Sequence, residues 1–184
     1  MAAELYERVA GERRRLREVR QALTAATDQG AKGDKAYVPF YIAISEYFEA
    51  TMARLHAQDI RMGELLDKRA DLSTPENKQA MAELDDRLTG NQRHLKKMLA
   101  ARDALKAEGE KALDQFEQAG GDYAAFIVAN MGHHPGTADL AQAFFTPDDW
   151  AYMADVSEAD QLREQELHAA VFSAWPQTSL PLPE

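Results

Sequence analysis

The 184-residue chain contains no cysteine. That absence excludes disulfide scaffolds, thiolate zinc sites, iron–sulfur clusters and cysteine nucleophiles. Long apolar runs are missing too. The longest, Tyr37 to Ile44, is far short of the ~20 residues a membrane-spanning helix needs. The first residues are acidic and polar and lack a secretory core. A cytoplasmic protein with no membrane partner is therefore the expectation. Basic residues are scarce at one end. Of 21 Lys and Arg only Arg163 lies beyond residue 118, whereas ten of the 31 Asp and Glu do. Nearly all of the formal net charge of −10 thus sits in residues 119–184. Nucleic acid requires a basic face to displace counterions. The one basic cluster, Arg13, Arg14, Arg15, Arg17 and Arg20, is interrupted by Glu12 and Glu18. It reads as a solvated helix face, or as a partner for the acidic C-terminal third, and no nucleic acid is expected. Gly-rich phosphate loops, the Gly-x-Ser-x-Gly elbow and the His-Glu-x-x-His zinc motif are all missing. No catalytic residue is expected, and an enzyme is the less favoured class.

What is present is helix-forming. Ala, Leu, Glu, Gln, Lys and Arg dominate, and strict apolar alternation is nowhere found. Leu5, Val9, Leu16, Val19 and Leu23 stripe a first segment, about residues 3–27. Tyr41, Ile44, Phe48, Met52, Leu55, Met62 and Leu66 stripe a second, about 36–70. Leu84, Leu88, Leu95, Met98 and Leu105 stripe a third, which runs from Pro75 towards Gln118. A Gly120-Gly121 stop, with weakening at Gly90 and Gly109, is expected to end the third segment. Thr74-Pro75, Thr146-Pro147 and Ser157 with Asp160 read as helix starts. The fold class that follows is all-α: an up-and-down helical bundle with a long central helical hairpin and short C-terminal helices. Residues 1–175 form one domain, and the proline-bearing 176–184 form a tail.

Polar residues interrupt the stripes. Glu12, Asp59 and Asn91 occupy core-type positions in the three segments. A buried carboxylate must be paired or metal-bound, or must be less buried than its position suggests. His56 lies one turn before Asp59 and two turns after Glu49, and His94 lies one turn after Asn91. Counted from the bend near Ser73, His56 and Asn91 stand at about equal height on the hairpin, with Asp59 and His94 close by. His134 lies within the helix break Gly132-His133-His134-Pro135-Gly136, where a side chain can be aimed inward, and His168 lies one turn after Glu164. Inward Glu, Asp and His from several helices are how bundles hold metals. A mixed set of this kind suits non-haem iron or manganese. The candidate ligands are His56, Asp59, His94, Glu49, Glu12, His134 and His168.

Three pieces of the chain carry a family resemblance: Arg54-Leu55-His56-Ala57-Gln58-Asp59, the lone His94, and His134-Pro135-Gly136-Thr137-Ala138-Asp139. Over about residues 5–145 they resemble the hemerythrin-like, or HHE cation-binding, helical bundles. His134 and Asp139 have the His-x4-Asp spacing of that family's final ligand pair. The family's His-x3-Glu motif is not reproduced, since Ile60 and Met98 stand at those spacings. The resemblance implies two iron ions bridged by carboxylates, with oxygen or redox sensing or metal handling as the role.

Two other readings compete. In one, arginines and lysines such as Arg54, Arg87, Arg93 or Lys97 neutralise Asp59 and Glu49 without a metal. The chain is then a structural or interaction module that docks a partner or forms a homodimer through its helical hairpin, and Asp59 and Asn91 fix its packing. In the other, the late aromatics Phe144, Phe145, Trp150, Tyr152, Phe172 and Trp175 line an apolar ligand pocket instead of packing the last helices.

Overall fold

A computed structural model of the chain describes residues 2–130 and 135–177. The described residues are all-α, with seven helices and no strand: α1 (Ala2–Gln29), α2 (Tyr37–Arg69), α3 (Pro75–Glu108), α4 (Leu113–Asn130), α5 (Pro135–Phe144), α6 (Pro147–Met153) and α7 (Glu158–Ser173). Expectation and structure agree on the helical bundle and on the long hairpin of α2 and α3. Residues 178–184 of the proline-bearing tail lie outside the described residues.

The helix starts follow from local chemistry. Thr74 caps α3 by accepting from the Asn77 amide, with Pro75 in the first turn. Thr146 and Asp149 exchange side-chain-to-backbone hydrogen bonds in a capping box that starts α6. Ser157 accepts from the Asp160 amide to start α7. One expected boundary is displaced. The chain does not stop at Gly120-Gly121, which lie inside α4. It turns at Gly109, whose φ of 61° is one that a side chain disfavours, and a short 3-10 turn over Gly109–Ala112 leads into α4. Gly120 serves packing instead: a Cβ there would lie 3.1 Å from Leu23 of α1.

Four cross-helix pairs show α2 and α3 running antiparallel: Lys106 with Glu46, Arg102 with Glu49, Gln92 with His56 and Arg87 with Asp59. Helices α1, α2, α3, α4 and α7 share the main core. Phe40, Tyr41, Phe48, Met98, Phe116 and Tyr123 are completely buried there. A smaller core of Leu66, Ala80, Leu140 and Ala141 packs α5 over the α2–α3 bend. Glu117 of α4 ties down the α1–α2 connection by accepting from the Ala31 amide at 2.5 Å and from the Tyr41 hydroxyl at 2.9 Å. Trp175 closes the far end, edge-on to Phe40 at 5.0 Å.

Candidate functional site

The polar residues at core positions are held by other side chains of the protein. Arg54, on the buried stripe of α2, reaches two helices at once. Its Nη1 lies 3.0 Å from Glu12 Oε2 on α1, and its Nη2 donates to Glu164 Oε2 on α7 at 2.6 Å. Arg15 Nε donates to the other oxygen of Glu164 at 3.2 Å, and Arg8 lies 3.7 Å from Glu12. Glu12 is 8% exposed and Glu164 3%, so these charges interact through a medium that screens weakly. Tyr47 and Thr51 lie on the same face of α2, two turns and one turn before Arg54 respectively, and both are buried. Burial first, then the Glu164 carboxylate, pushes the Tyr47 phenol up, so it stays neutral at any physiological pH. The network therefore clamps α1, α2 and α7. Arg15 also shows that the basic cluster of α1 does meet the acidic C-terminal third. Arg13, Arg14 and Arg17 face solvent.

The candidate ligands are distributed as follows. Glu12 belongs to the Arg54 clamp. Glu49 is exposed and bonded to Arg102, a partner that the sequence reading did not name. Asp59 is only partly buried and pairs with Arg87 at 3.4 Å, one of the arginines the metal-free reading required. His56 Nε2 lies 2.7 Å from the amide of Gln92. His94 turns away from that spot towards α4, stacking on Phe126 with ring centres 4.8 Å apart and lying parallel to Tyr123 at 6.5 Å. Burial, with Arg93 and Lys97 nearby, holds its imidazole below the usual histidine range, and Asp122 opposes them. Asn91 is buried and accepts from the Tyr123 hydroxyl at 2.6 Å. His168 joins α7 to α1 through Glu18 at 2.8 Å. His134 lies outside the described residues. Among the described residues, no group of three or more His, Asp or Glu side chains could hold a metal ion.

The late aromatics divide into two sets. Trp175 is buried, and Phe172 stacks on it at 6.1 Å, so these two pack α7 onto the bundle. Phe144, Trp150 and Tyr152 remain 39%, 37% and 52% exposed. Trp150 meets Phe145 edge-on at 5.3 Å, and the Arg61 guanidinium lies 5.6 Å above the Tyr152 ring. Nothing in the helical periodicity of so short a segment distinguishes its exposed aromatics from its packed ones.

No helix among the described residues is long and apolar enough to cross a membrane. No protein-family model, curated protein or solved structure matches this chain.

Proposed function

We propose that this chain is a helical interaction module: a rigid bundle that docks another protein surface, with its buried polar residues committed to its own packing. The observation that carries this reading is a contrast among aromatics. Tyr37, Phe40, Tyr41, Tyr47, Phe48, Phe116 and Tyr123 are almost completely buried, yet Phe144, Trp150 and Tyr152 stay at the surface around one seven-residue helix. Exposed aromatic side chains are a residue type that interaction surfaces favour over the rest of a protein surface. The test is a comparison of stabilities. Tyr152→Ala and Phe144→Ala are each expected to change unfolding free energy by no more than ~1 kcal/mol. Trp175→Ala in the core is expected to cost about 3–5 kcal/mol. Equal losses at Tyr152 and Trp175 would make the surface aromatics part of the fold and contradict the proposal.

The iron reading retains one supporting observation. His56 Nδ1 and His94 Nδ1 are both buried and have no hydrogen-bond partner among the described residues. For the two rings to share a site, His94 would have to leave its stack on Phe126, Asp59 would have to leave Arg87, and Glu12 would have to leave Arg54. The expected result of anaerobic Fe(II) titration is accordingly less than one equivalent bound.

A further inference from the structure

We infer that the outer face of α1, with the adjoining edge of α4, pairs two copies of this chain antiparallel about a two-fold axis. Residues seven apart on a helix fall almost on one line. On α1 that line reads Glu7, Arg14, Gln21 and Asp28, and all four are exposed. Arg13 and Arg17 are exposed within a turn of Arg14. Among the described residues, none of these three arginines has an ion pair or hydrogen bond. The nearest acids of α1 are taken, Glu12 by Arg54 and Glu18 by His168. On α4, residues 123–130 carry no charge. At the other end, Asp28 and Asp114 are exposed and line one open cleft between α1 and α4. Glu117 lies in the same cleft but is held by the Ala31 amide and the Tyr41 hydroxyl. Lys32 and Lys35 are exposed on the connection beyond.

Charge order selects the occupant. Along α1 the face reads acid, arginines, an uncharged centre, acids, then the two lysines. A two-fold axis through Gln21 reverses that order in the second copy. Each Arg14 then meets the other copy's Asp28, seven residues from the centre on either side. Each Glu7 approaches the other copy's lysine end. A parallel pairing would set arginine on arginine. The centre suits close approach. Helices α1 and α4 run antiparallel, since Glu117 reaches Ala31 and a Cβ on Gly120 would lie 3.1 Å from Leu23. Gly121, Ala125 and Val128 follow one side of α4 and so flank Gln21 and Thr24. The first two are small, and Val128 is 61% exposed. An outside polyanion drawn to the arginines would meet Asp28 about 16 Å along α1 from Arg17. The net charge of −10 also opposes a second copy at long range. Salt screens that field beyond ~8 Å, so local order decides the contact and the dimer is weak. None of the aromatics around α6 takes part, so a failure here leaves the module reading standing.

The test is sedimentation equilibrium of the full chain at physiological salt over about 5–500 µM. The wild-type mass is expected to rise with concentration from 20.5 kDa towards twice that value. Two charge-reversed variants are compared: Arg14→Glu with Arg17→Glu, and Asp28→Lys with Asp114→Lys. Each is expected to weaken the dimer by about tenfold or more. The second lowers the net negative charge, so its loss of dimer is not general repulsion. An equimolar mixture of the two is expected to dimerise again, because each reversed charge meets a reversed partner. Thermal melts check that both variants are folded. If either is not, weakening by Arg14→Gln with Arg17→Gln is the readout. The inference is overturned by a wild-type monomer throughout the range, by a dimer that survives the variants, or by a mixture that stays monomeric. It is overturned as well if polyglutamate or a single-stranded oligonucleotide binds a wild-type protein that stays monomeric. That result would assign the arginines to an outside polyanion.

Discussion

Arg54 Nη1 stands 3.0 Å from Glu12 Oε2, joining α2 to α1 where Glu164 of α7 binds the same guanidinium. Removing Arg54 leaves Glu12 with Arg8 at 3.7 Å and Glu164 with Arg15 at 3.2 Å as their remaining partners, and breaking a buried ion pair costs up to about 3–5 kcal/mol. Arg54→Met is expected to destabilise the protein by about 2–4 kcal/mol in urea denaturation at pH 7, below the full figure because each acid keeps one arginine. Adding Glu12→Gln and Glu164→Gln is expected to recover part of the loss, because the two most buried charges are then gone and Arg8 and Arg15, both partly exposed, can turn to water. A single Arg54→Met variant as stable as wild type would show that the clamp does not hold the three helices.

The approach of α3 to α4 depends on an absent side chain. A Cβ on Gly90 would lie 2.5 Å from the Phe126 ring. The ring tip can shift, but only by disturbing its stack on His94. Gly90→Ala is expected to destabilise by about 1–3 kcal/mol despite the better helix propensity of alanine. Phe126→Leu in the same chain should relieve part of the loss. A stabilising Gly90→Ala would contradict this close contact.

The His94 imidazole sits below its ordinary range, chiefly through burial and then through Arg93 and Lys97. Its unfolded value is near 6.5. Below that value the unfolded chain binds the proton more readily than the folded one, so stability rises with pH in this window. The contribution of the neutral ring is complete above the unfolded value and is lost as the pH falls through the folded one. His94→Phe keeps the stack on Phe126 and removes the titration. Urea midpoints compared between about pH 7.5 and 5.5 should fall more for wild type than for His94→Phe. Parallel curves would place His94 in an unperturbed environment.

The hairpin and its register were legible in the sequence because heights along antiparallel helices follow from counting out of the bend. His56 does meet Gln92, next to Asn91, as the count required. What counting cannot supply is which neighbour each face meets. In a bundle of five packed helices, a residue of α3 at the right height can face α2 or α4, and Asn91 and His94 face α4. The rule that Glu12 and Asp59 must be paired, metal-bound or exposed did constrain the outcome, and both are paired. In the sequence Glu164 stands out only as a neighbour of His168. Its place opposite Arg54 depends on how α7 lies across α1 and α2, a long-range choice that local periodicity does not encode. Gly120-Gly121 misled for a related reason: glycine in a sequence signals either a turn or a close helix approach, and only tertiary packing decides which.

Imidazoles and carboxylates at core-type positions can be satisfied either by protein partners such as Arg54 and Arg87 or by a metal ion. Anaerobic equilibrium dialysis of the full chain against Fe(II), with bound iron measured by elemental analysis, addresses this directly. Less than one equivalent, unchanged by His56→Ala and His94→Ala, is the result predicted. One or two equivalents lost on either substitution would contradict the account and restore the di-iron reading.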